Sequence, residues 1–290
     1  MDFITTFING LSLGGIYAMI ALGYTMVYGI AKMLNFAHGD IIMVGGYTIL
    51  VVLNLCGNPI AATLVAIVTC VLLGVVVEKL AYKPLRGASN LAVLITAIGV
   101  SYLLQSLAQI IFGSASKMVN IANFGVLKVG PIKIQGYTVF TLVCTVVVML
   151  ALTLFIKYTK LGKAMLAVSE DRGAAQLMGI NANRIITITF IIGSSLAAVA
   201  GLCTLLKAPS LNSTFGAMPG IKAFTAAVIG GIGSIPGAML GGILLGVVES
   251  ISNKITAIAP YTDAIEFGIL IVILLIRPTG ILGKKRREKV

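Results

Sequence analysis

The sequence predicts an all-α protein, a polytopic transmembrane helical bundle of about eight membrane segments. Of its 290 residues, 58% are hydrophobic and only 10% are charged, and the mean hydropathy is +1.06. Soluble globular domains carry about 25% charged residues, so this composition indicates a membrane protein. The apolar runs are continuous rather than alternating, which favours helices over a transmembrane barrel. Because no hydrophilic stretch is long enough to fold separately, residues 1–290 are predicted to form a single transmembrane domain.

The membrane segments follow from the helix length that crosses a bilayer, which is about 20 apolar residues. Regular apolar runs lie at residues 9–31, 36–55, 59–78, 91–112, 137–156, 185–206 and 263–276. A less regular apolar region separates the last two runs, at residues 220–253.

Basic residues set the predicted orientation of these segments. Lys79, Lys83 and Arg86 follow the third segment, a polar loop at residues 157–184 follows the fifth, and the chain ends in the stretch KKRREK. Basic loops are retained in the cytoplasm, so the N-terminus is predicted outside and the C-terminus inside. This parity requires the region 220–253 to cross the membrane an even number of times. Membrane topology also accounts for the net charge of +12 without a nucleic-acid partner.

A glycine-rich block, AVIGGIGSIPGAMLGGILLG, lies inside the irregular region and would break a helix in its middle. Two short half-helices, or a re-entrant pair, fit this block better than one long rod. Broken backbone at membrane depth is tolerated where protein buries it or a polar cavity wets it. The block therefore belongs either to a translocation path or to close helix packing through small residues. The candidate residues are Gly230, Gly231, Gly233, Pro236 and Gly237.

The polar loop after the fifth segment is predicted to fold as a compact helical hairpin. Ser169 can cap a short helix over residues 170–178, with Glu170 and Asp171 in its first turn. Gly179 is placed to end this helix in a left-handed conformation.

The same short helix would carry one small apolar face, made by Ala174, Leu177 and Met178. A helix of this length is marginal in water unless such a face packs on another surface. That surface belongs either to the chain's own membrane domain or to a partner protein.

A polar motif, LNFAHGD, places Asn35, His38 and Asp40 at the inner end of the second segment. Ionisable residues inside a membrane are costly and often functional. These residues are predicted to lie near the interface and to hydrogen-bond helix ends. His38 and Asp40 are too few to hold a metal ion and too near water for a proton relay.

The sequence has no motif of an enzyme or cofactor site. It lacks a Walker-type phosphate loop and contains one histidine, and its four cysteines have no paired spacing. The chain is therefore predicted to be no enzyme, to bind no cofactor or metal, and to rely on another subunit for any ATP. Asp40, Glu249, Asp263 and Glu266 fall near predicted segment ends, so no well-buried charge is expected. That pattern disfavours a secondary transporter working alone, which needs coupling carboxylates at mid-membrane.

Two loops on the predicted outer side could dock a protein that delivers a solute. The loop at residues 113–136 contains the alternating pattern GVLKVGPIKIQG, which predicts a small β-hairpin. The second loop, at residues 207–220, is rich in Pro, Gly and Ser.

Three blocks resemble the permease subunits of bacterial branched-chain amino acid ABC importers, in particular the shorter of the two permeases. INGLSLGGIYAMIALGYTMVYGI with LNFAHGD is similar to the family's N-terminal signature. LGKAMLAVSEDRGAAQLMGIN is similar to its cytoplasmic coupling segment, and MPGIKAFTAAVIGGIGSIPGAMLGG to its C-terminal glycine-rich signature. The resemblance covers nearly the whole chain.

The resemblance implies a permease subunit in the cytoplasmic membrane that translocates leucine, isoleucine and valine. The expected partners are a second permease subunit, two ATP-binding cassette ATPase subunits, an extracytoplasmic solute-binding protein and membrane lipid. ATP hydrolysis on the ATPase subunits would drive transport. Related permeases carry urea, sugars or nucleosides, so another small solute is the alternative, and a stand-alone transporter is a second one.

In such importers a short cytoplasmic helix lies in a groove of each ATPase subunit. The resemblance assigns this coupling role to the loop 157–184. Ala174 and Ala175 are both expected to be needed, because a contact inside a groove leaves room only for small side chains. The coupling candidates are Glu170, Asp171, Arg172, Ala174, Ala175 and Gly179.

Overall fold

The computed structural model describes residues 2–122, 124–129 and 132–283, and the chain is helical over most of them. The basic stretch KKRREK lies outside the described residues. The helices are α1 Asp2–Ala31, α2 His38–Cys56, α3 Pro59–Val77, α4 Asn90–Phe112, α5 Gly136–Tyr158, α6 Lys160–Glu170, α7 Arg172–Leu177, α8 Ala182–Lys207, α9 Ala217–Gly230, α10 Ile235–Lys254 and α11 Thr262–Ile276. A π-helical turn, Glu78–Tyr82, extends α3, and a 3₁₀ turn, Ala259–Tyr261, precedes α11.

Within the described residues, eight helices are long and apolar enough to cross a membrane, as the sequence predicted. The predicted break in the glycine-rich region is also present, between α9 and α10. The expectation of two short half-helices was wrong for α10, whose 20 residues are enough for a full span. Only α9, with 14 residues, is shorter than a full span.

Several connections meet at one end of the bundle, which we call the basic face. It comprises residues 32–34, 83–89, 159–181 and 277–283. The first three of these segments line one cleft of about 440 Å³. The last segment joins them through α9, because the backbone N–H of Ile281 donates to the carbonyl of Ile229 at 2.9 Å.

The opposite end, which we call the hairpin face, carries the four short strands. Strands β2 Val126–Val129 and β3 Ile132–Gln135 form the predicted antiparallel hairpin, in which Lys128 lies opposite Lys133. Strands β1 Lys117–Met118 and β4 Ser210–Leu211 pair antiparallel and connect the two loops on this face.

Helix α1 lies at the centre of the bundle and packs against α5, α8, α9 and α10. Small residues allow its closest contact, because Gly14 of α1 touches the backbone of Gly242 and Ile243 in α10. Close backbone approach through glycine is typical of packing between membrane helices. By contrast, α4 and α11 are mostly exposed, and their surfaces are apolar. Such surfaces suit lipid or a second membrane protein.

Candidate coupling and translocation sites

The polar loop after α5 folds into two consecutive helices, α6 and α7, at the basic face. The Thr159 hydroxyl accepts from the N–H of Gly162 and caps α6, while the Asp171 carboxylate accepts from the N–H of Ala174 and caps α7. The prediction of one helix capped by Ser169 was therefore wrong. Asp171 can accept the hydrogen bond as a cap because it interrupts the helix with extended backbone, which separates α6 from α7.

The predicted end of this unit is correct. Gly179 has φ = +82°, a left-handed conformation that favours glycine. Its N–H donates to the carbonyl of Gln176 at 2.9 Å, and the N–H of Ile180 donates to the carbonyl of Ala175 at 3.0 Å. These bonds close the C-terminal end of α7 and direct the chain into α8.

The two sides of α7 face different surroundings. Leu177 is 91% exposed and Met178 is 83% exposed, and Ala174 beside them is also exposed. Ala175 is only 4% exposed because it belongs to the hydrophobic core of the chain itself. The small apolar face predicted from the sequence therefore points away from the membrane domain. The expected groove contact through Ala175 does not match its burial, and Ala174 is the alanine on the free side.

The remaining coupling candidates line the cleft on the basic face. Glu170, Asp171 and Arg172 contribute to its wall, opposite Lys32 and Arg86. The structure thus brings this charged group together with the end of α1 and the loop after α3.

Arg86 connects the loop after α3 to α8. Its guanidinium donates to the Glu78 carboxylate and to the side-chain oxygen of Asn183. Burial lowers the pKa of Arg86, the nearby Glu78 carboxylate raises it, and Arg172 lowers it again. Arginine remains charged under all ordinary conditions, so Arg86 can hold this position as a permanent cation.

The polar motif at the start of α2 is buried inside the bundle. Asn35, His38 and Asp40 are 3%, 1% and 2% exposed. The Sγ of Cys70, which lies midway along the span Pro59–Tyr82, is 3.3 Å from the carbonyl oxygen of Ile41. Helix α2 therefore begins at about half the membrane depth, and residues 32–37 carry the chain inward from the basic face. The predicted interfacial position was therefore wrong for His38 and Asp40, whereas Asn35 lies beside Tyr82 at the end of the α3 span.

Each of the three motif residues has a defined environment. Asn35 accepts a hydrogen bond from the Tyr82 hydroxyl at 2.8 Å, and Asp40 accepts one from Gln105 at 2.9 Å. The imidazole of His38 packs edge-on against Tyr24, and its Nε2 has no hydrogen-bond partner among the described residues.

Helix α9 begins at the same depth, coming from the hairpin face. A side chain on Gly39 would lie 2.5 Å from the carbonyl oxygen of Gly216, so the two backbones touch. The starts of α2 and α9 thus meet inside the bundle, each preceded by an irregular segment. This arrangement of broken helices is typical of membrane transport proteins.

The glycine-rich block has two kinds of residue. Gly230 and Gly237 touch each other's backbone, where α9 and α10 diverge. Gly231 and Gly233 have φ of +105° and +94° in the tight connection between α9 and α10. Pro236 lies in the first turn of α10, where a backbone N–H would have no acceptor within the helix, so the proline costs no helical hydrogen bond.

A buried charge cluster around Lys222 was not predicted from the sequence. Lys222 of α9 pairs with Asp263 at 2.8 Å, Glu249 at 3.1 Å and Glu266 at 3.3 Å, and Tyr17 donates to Glu249 at 2.7 Å. The expectation of no well-buried charge was therefore wrong. The sequence did contain a signal for this cluster. Lys222 is a lone lysine inside an apolar run, Glu266 lies one turn into the last helix, and their opposite charges allow an ion pair.

These features define a class of protein, a multi-pass helical membrane protein of the transport type with an exposed helix pair on one face. Among the described residues, no group of three or more His, Cys, Asp or Glu side chains could hold a metal ion. The chain belongs to the family described as "Branched-chain amino acid transport system / permease component", whose model matches residues 6–274.

Individual relatives agree with this membership. The chain is 44% identical to the high-affinity branched-chain amino acid transport system permease protein BraD of Pseudomonas aeruginosa, over 98% of the chain and 96% of that protein. It is 42% identical to the corresponding LivH of Escherichia coli, over 99% and 98%. A more distant relative, the fructose import permease protein FrcC of Rhizobium meliloti, is 32% identical over 48% of the chain and 40% of that protein.

Proposed function

We propose that this chain is the membrane-spanning permease subunit of an ATP-binding cassette importer that carries leucine, isoleucine and valine. Its near full-length relatives are named for branched-chain amino acid transport. The sequence carries no Walker-type phosphate loop, so the proposal places ATP hydrolysis on two partner ATPase subunits. A second permease and an extracytoplasmic binding protein complete the proposed complex.

The observation that carries the proposal is the exposed side of α7. Leu177, the last residue of the six-residue helix α7, and Met178, which follows it, are large apolar residues that are almost fully exposed. An isolated helix of this length is unstable in water, and here the buried Ala175 holds it on the membrane domain. The opposite side remains available for a groove on an ATPase subunit, with Ala174 allowing close approach.

The proposed orientation places the basic face in the cytoplasm. Lys83 of this face and the adjacent Lys79 and Arg184 line a second cleft of about 480 Å³. Cytoplasmic loops of membrane proteins are rich in lysine and arginine. In a bacterial inner membrane, the N-terminus then lies outside and the C-terminus lies in the cytoplasm. The hairpin face, with its three strand lysines, would meet the binding protein.

For the solute path we distinguish two parts of the chain. The contact between Gly230 and Gly237 favours helix packing as the role of these glycines. The meeting point of Gly39 and Gly216 is irregular backbone at membrane depth, which favours a role in the path. A sugar is the alternative solute, because one partial relative is named for fructose import.

The test is purification from native membranes in mild detergent with an affinity tag after Val290, followed by identification of every co-purifying chain. The proposal expects two ATPase subunits per pair of different permeases. Recovery of this chain alone, also after gentle cross-linking, would overturn the proposal. Radiolabelled leucine, fructose and urea then distinguish the solutes in uptake assays on the purified complex.

A further inference from the structure

We propose that Glu78, Arg86 and Asn183 act as positioning residues that transmit movement of α7 to the broken segment before α2. This inference rests on the proposed function, because it assumes that an ATPase subunit moves α7. It goes beyond that proposal by naming the route through which the movement reaches the middle of the membrane.

The route begins with one amide oxygen that two arginines share. The Oδ1 of Asn183 accepts from Arg172 at 3.4 Å and also from Arg86. Arg172 is the first residue of α7, and Asn183 lies in the first turn of α8. A displacement of α7 therefore acts directly on a group that also holds the loop after α3.

The second link is a fully buried carboxylate. Glu78 is 0% exposed, and both of its oxygens are bonded, one to Arg86 and the other to the Thr187 hydroxyl at 3.0 Å. An ion pair with hydrogen bonds on both oxygens tolerates little change of geometry when it is buried. Movement of Arg86 is thus expected to move Glu78 with it.

The third link uses the π-helical turn that Glu78 begins. The N–H of Lys83 donates to the carbonyl of Glu78 at 2.7 Å, which closes this wider turn. Tyr82, in the same turn, is 1% exposed and donates to Asn35 at 2.8 Å. This π-helical turn is the last turn of the span Pro59–Tyr82, directly before the loop that carries Arg86.

The route ends at the meeting point of α2 and α9. Asn35 lies in the irregular segment 32–37, which leads within a few residues to Gly39 and its contact with Gly216. The cleft beside Arg172 and Arg86 leaves room for α7 to approach the membrane domain. These contacts form a continuous connection between the exposed docking helix and mid-membrane depth.

A purely structural role for the same bonds makes a different prediction. If they only stabilise the fold, breaking them lowers the amount of intact complex, and ATP hydrolysis and uptake fall in parallel. If they transmit movement, hydrolysis continues while uptake is lost. The ratio of solute taken up to ATP hydrolysed separates the two.

The experiment uses the complete complex in proteoliposomes, with radiolabelled leucine and binding protein outside and ATP inside. Glu78→Gln and Arg86→Gln are compared with each other and with the double variant. Glu266→Gln is the matched control, because it also removes one carboxylate from a buried ion pair but lies outside the route. We expect the uptake-to-hydrolysis ratio to fall about tenfold in both single variants, a size typical of coupling between sites. The double variant should be no worse than either single one, since each breaks the same link.

A second readout follows amide hydrogen exchange of residues 32–37 before and after the complex is trapped with ATP and vanadate. We expect a change on trapping in the wild type and in Glu266→Gln, and none in Glu78→Gln. An unchanged ratio in Glu78→Gln and Arg86→Gln, or a trapping response that Glu78→Gln retains, would overturn the route while leaving the proposed function intact. A wild-type complex without ATP-driven uptake would overturn both.

Discussion

The buried cluster around Lys222 makes a quantitative prediction about stability. Replacing Lys222 by Met removes one cation and leaves three carboxylates facing each other. The Glu266 side chain is 1% exposed and that of Glu249 is 13% exposed, so water has little access to either carboxylate. Asp263, whose side chain is 54% exposed, can be solvated and should contribute little.

The expected size follows from the burial of these groups. Removing one member of a buried ion pair typically costs about 3–5 kcal/mol, because the other charge remains buried without a partner. Glu249 keeps the Tyr17 hydroxyl as a donor and Glu266 loses its cation, so Lys222→Met should fall within that range. For a chain of this size, 1 kcal/mol corresponds to about 2 °C, so we expect the melting midpoint to fall by roughly 6–10 °C.

The assay is thermal unfolding of the purified protein in detergent at a fixed heating rate. Size-exclusion chromatography measures the fraction that remains folded at each temperature. Lys128→Met on the hairpin face is the matched control, since its side chain is exposed on a β-strand. A variant carrying Lys222→Met together with Glu266→Gln should regain part of the loss, because one uncompensated charge is removed. A melting midpoint of Lys222→Met equal to that of the wild type would show that Lys222 does not stabilise the buried carboxylates.

Three further predictions concern α7 and the central helix contact. Ala174→Trp should insert into the membrane and fold normally but lose ATPase subunits on purification and lose uptake, whereas Ala175→Trp should lower the yield of folded protein, because only Ala175 is buried. Gly246→Leu should lower the free energy of unfolding by about 1–3 kcal/mol in thermal melts, because the leucine side chain would collide with the backbone of α1. Gly268→Leu should leave the free energy of unfolding unchanged, since no neighbouring atom lies within 4 Å of a Cβ placed there. Asp171→Ala removes the cap of α7 and should cost about 1 kcal/mol, measured as roughly fivefold faster amide exchange within α7.

Each of these predictions has a contradicting result. Normal uptake by Ala174→Trp would exclude α7 as the docking helix. Equal melting of the Gly246→Leu and Gly268→Leu variants would show that the contact with α1 is not tight. Unchanged exchange in Asp171→Ala would show that α7 does not depend on its cap.

The sequence was sufficient to predict about eight membrane segments and the order of the seven regular ones, because long apolar runs have few alternatives in a bilayer. It also located the break before α10 and the end of α7, since Gly231 and Gly179 occupy backbone conformations that other residues avoid. Family membership followed from three blocks of residues, and the comparison over residues 6–274 agrees with it.

Depth and burial could not be read in the same way. The motif with Asn35 and Asp40 follows Lys32 closely, so spacing alone suggested an interface, yet the chain turns inward through residues 32–37. Whether Ala174 or Ala175 is buried depends on how α7 packs against α8. The sequence of a six-residue helix does not determine that packing. The charge cluster joins the three consecutive helices α9, α10 and α11, and a pairing between positions 222 and 266 leaves no local pattern in a single sequence.

The proposed transport function is best tested by uptake of radiolabelled leucine into proteoliposomes of the complete complex. We expect uptake that requires enclosed ATP and external binding protein, and that disappears when Ala174→Trp prevents docking of the ATPase subunits. Leucine uptake by this chain alone, without ATP and without partner chains, would contradict it.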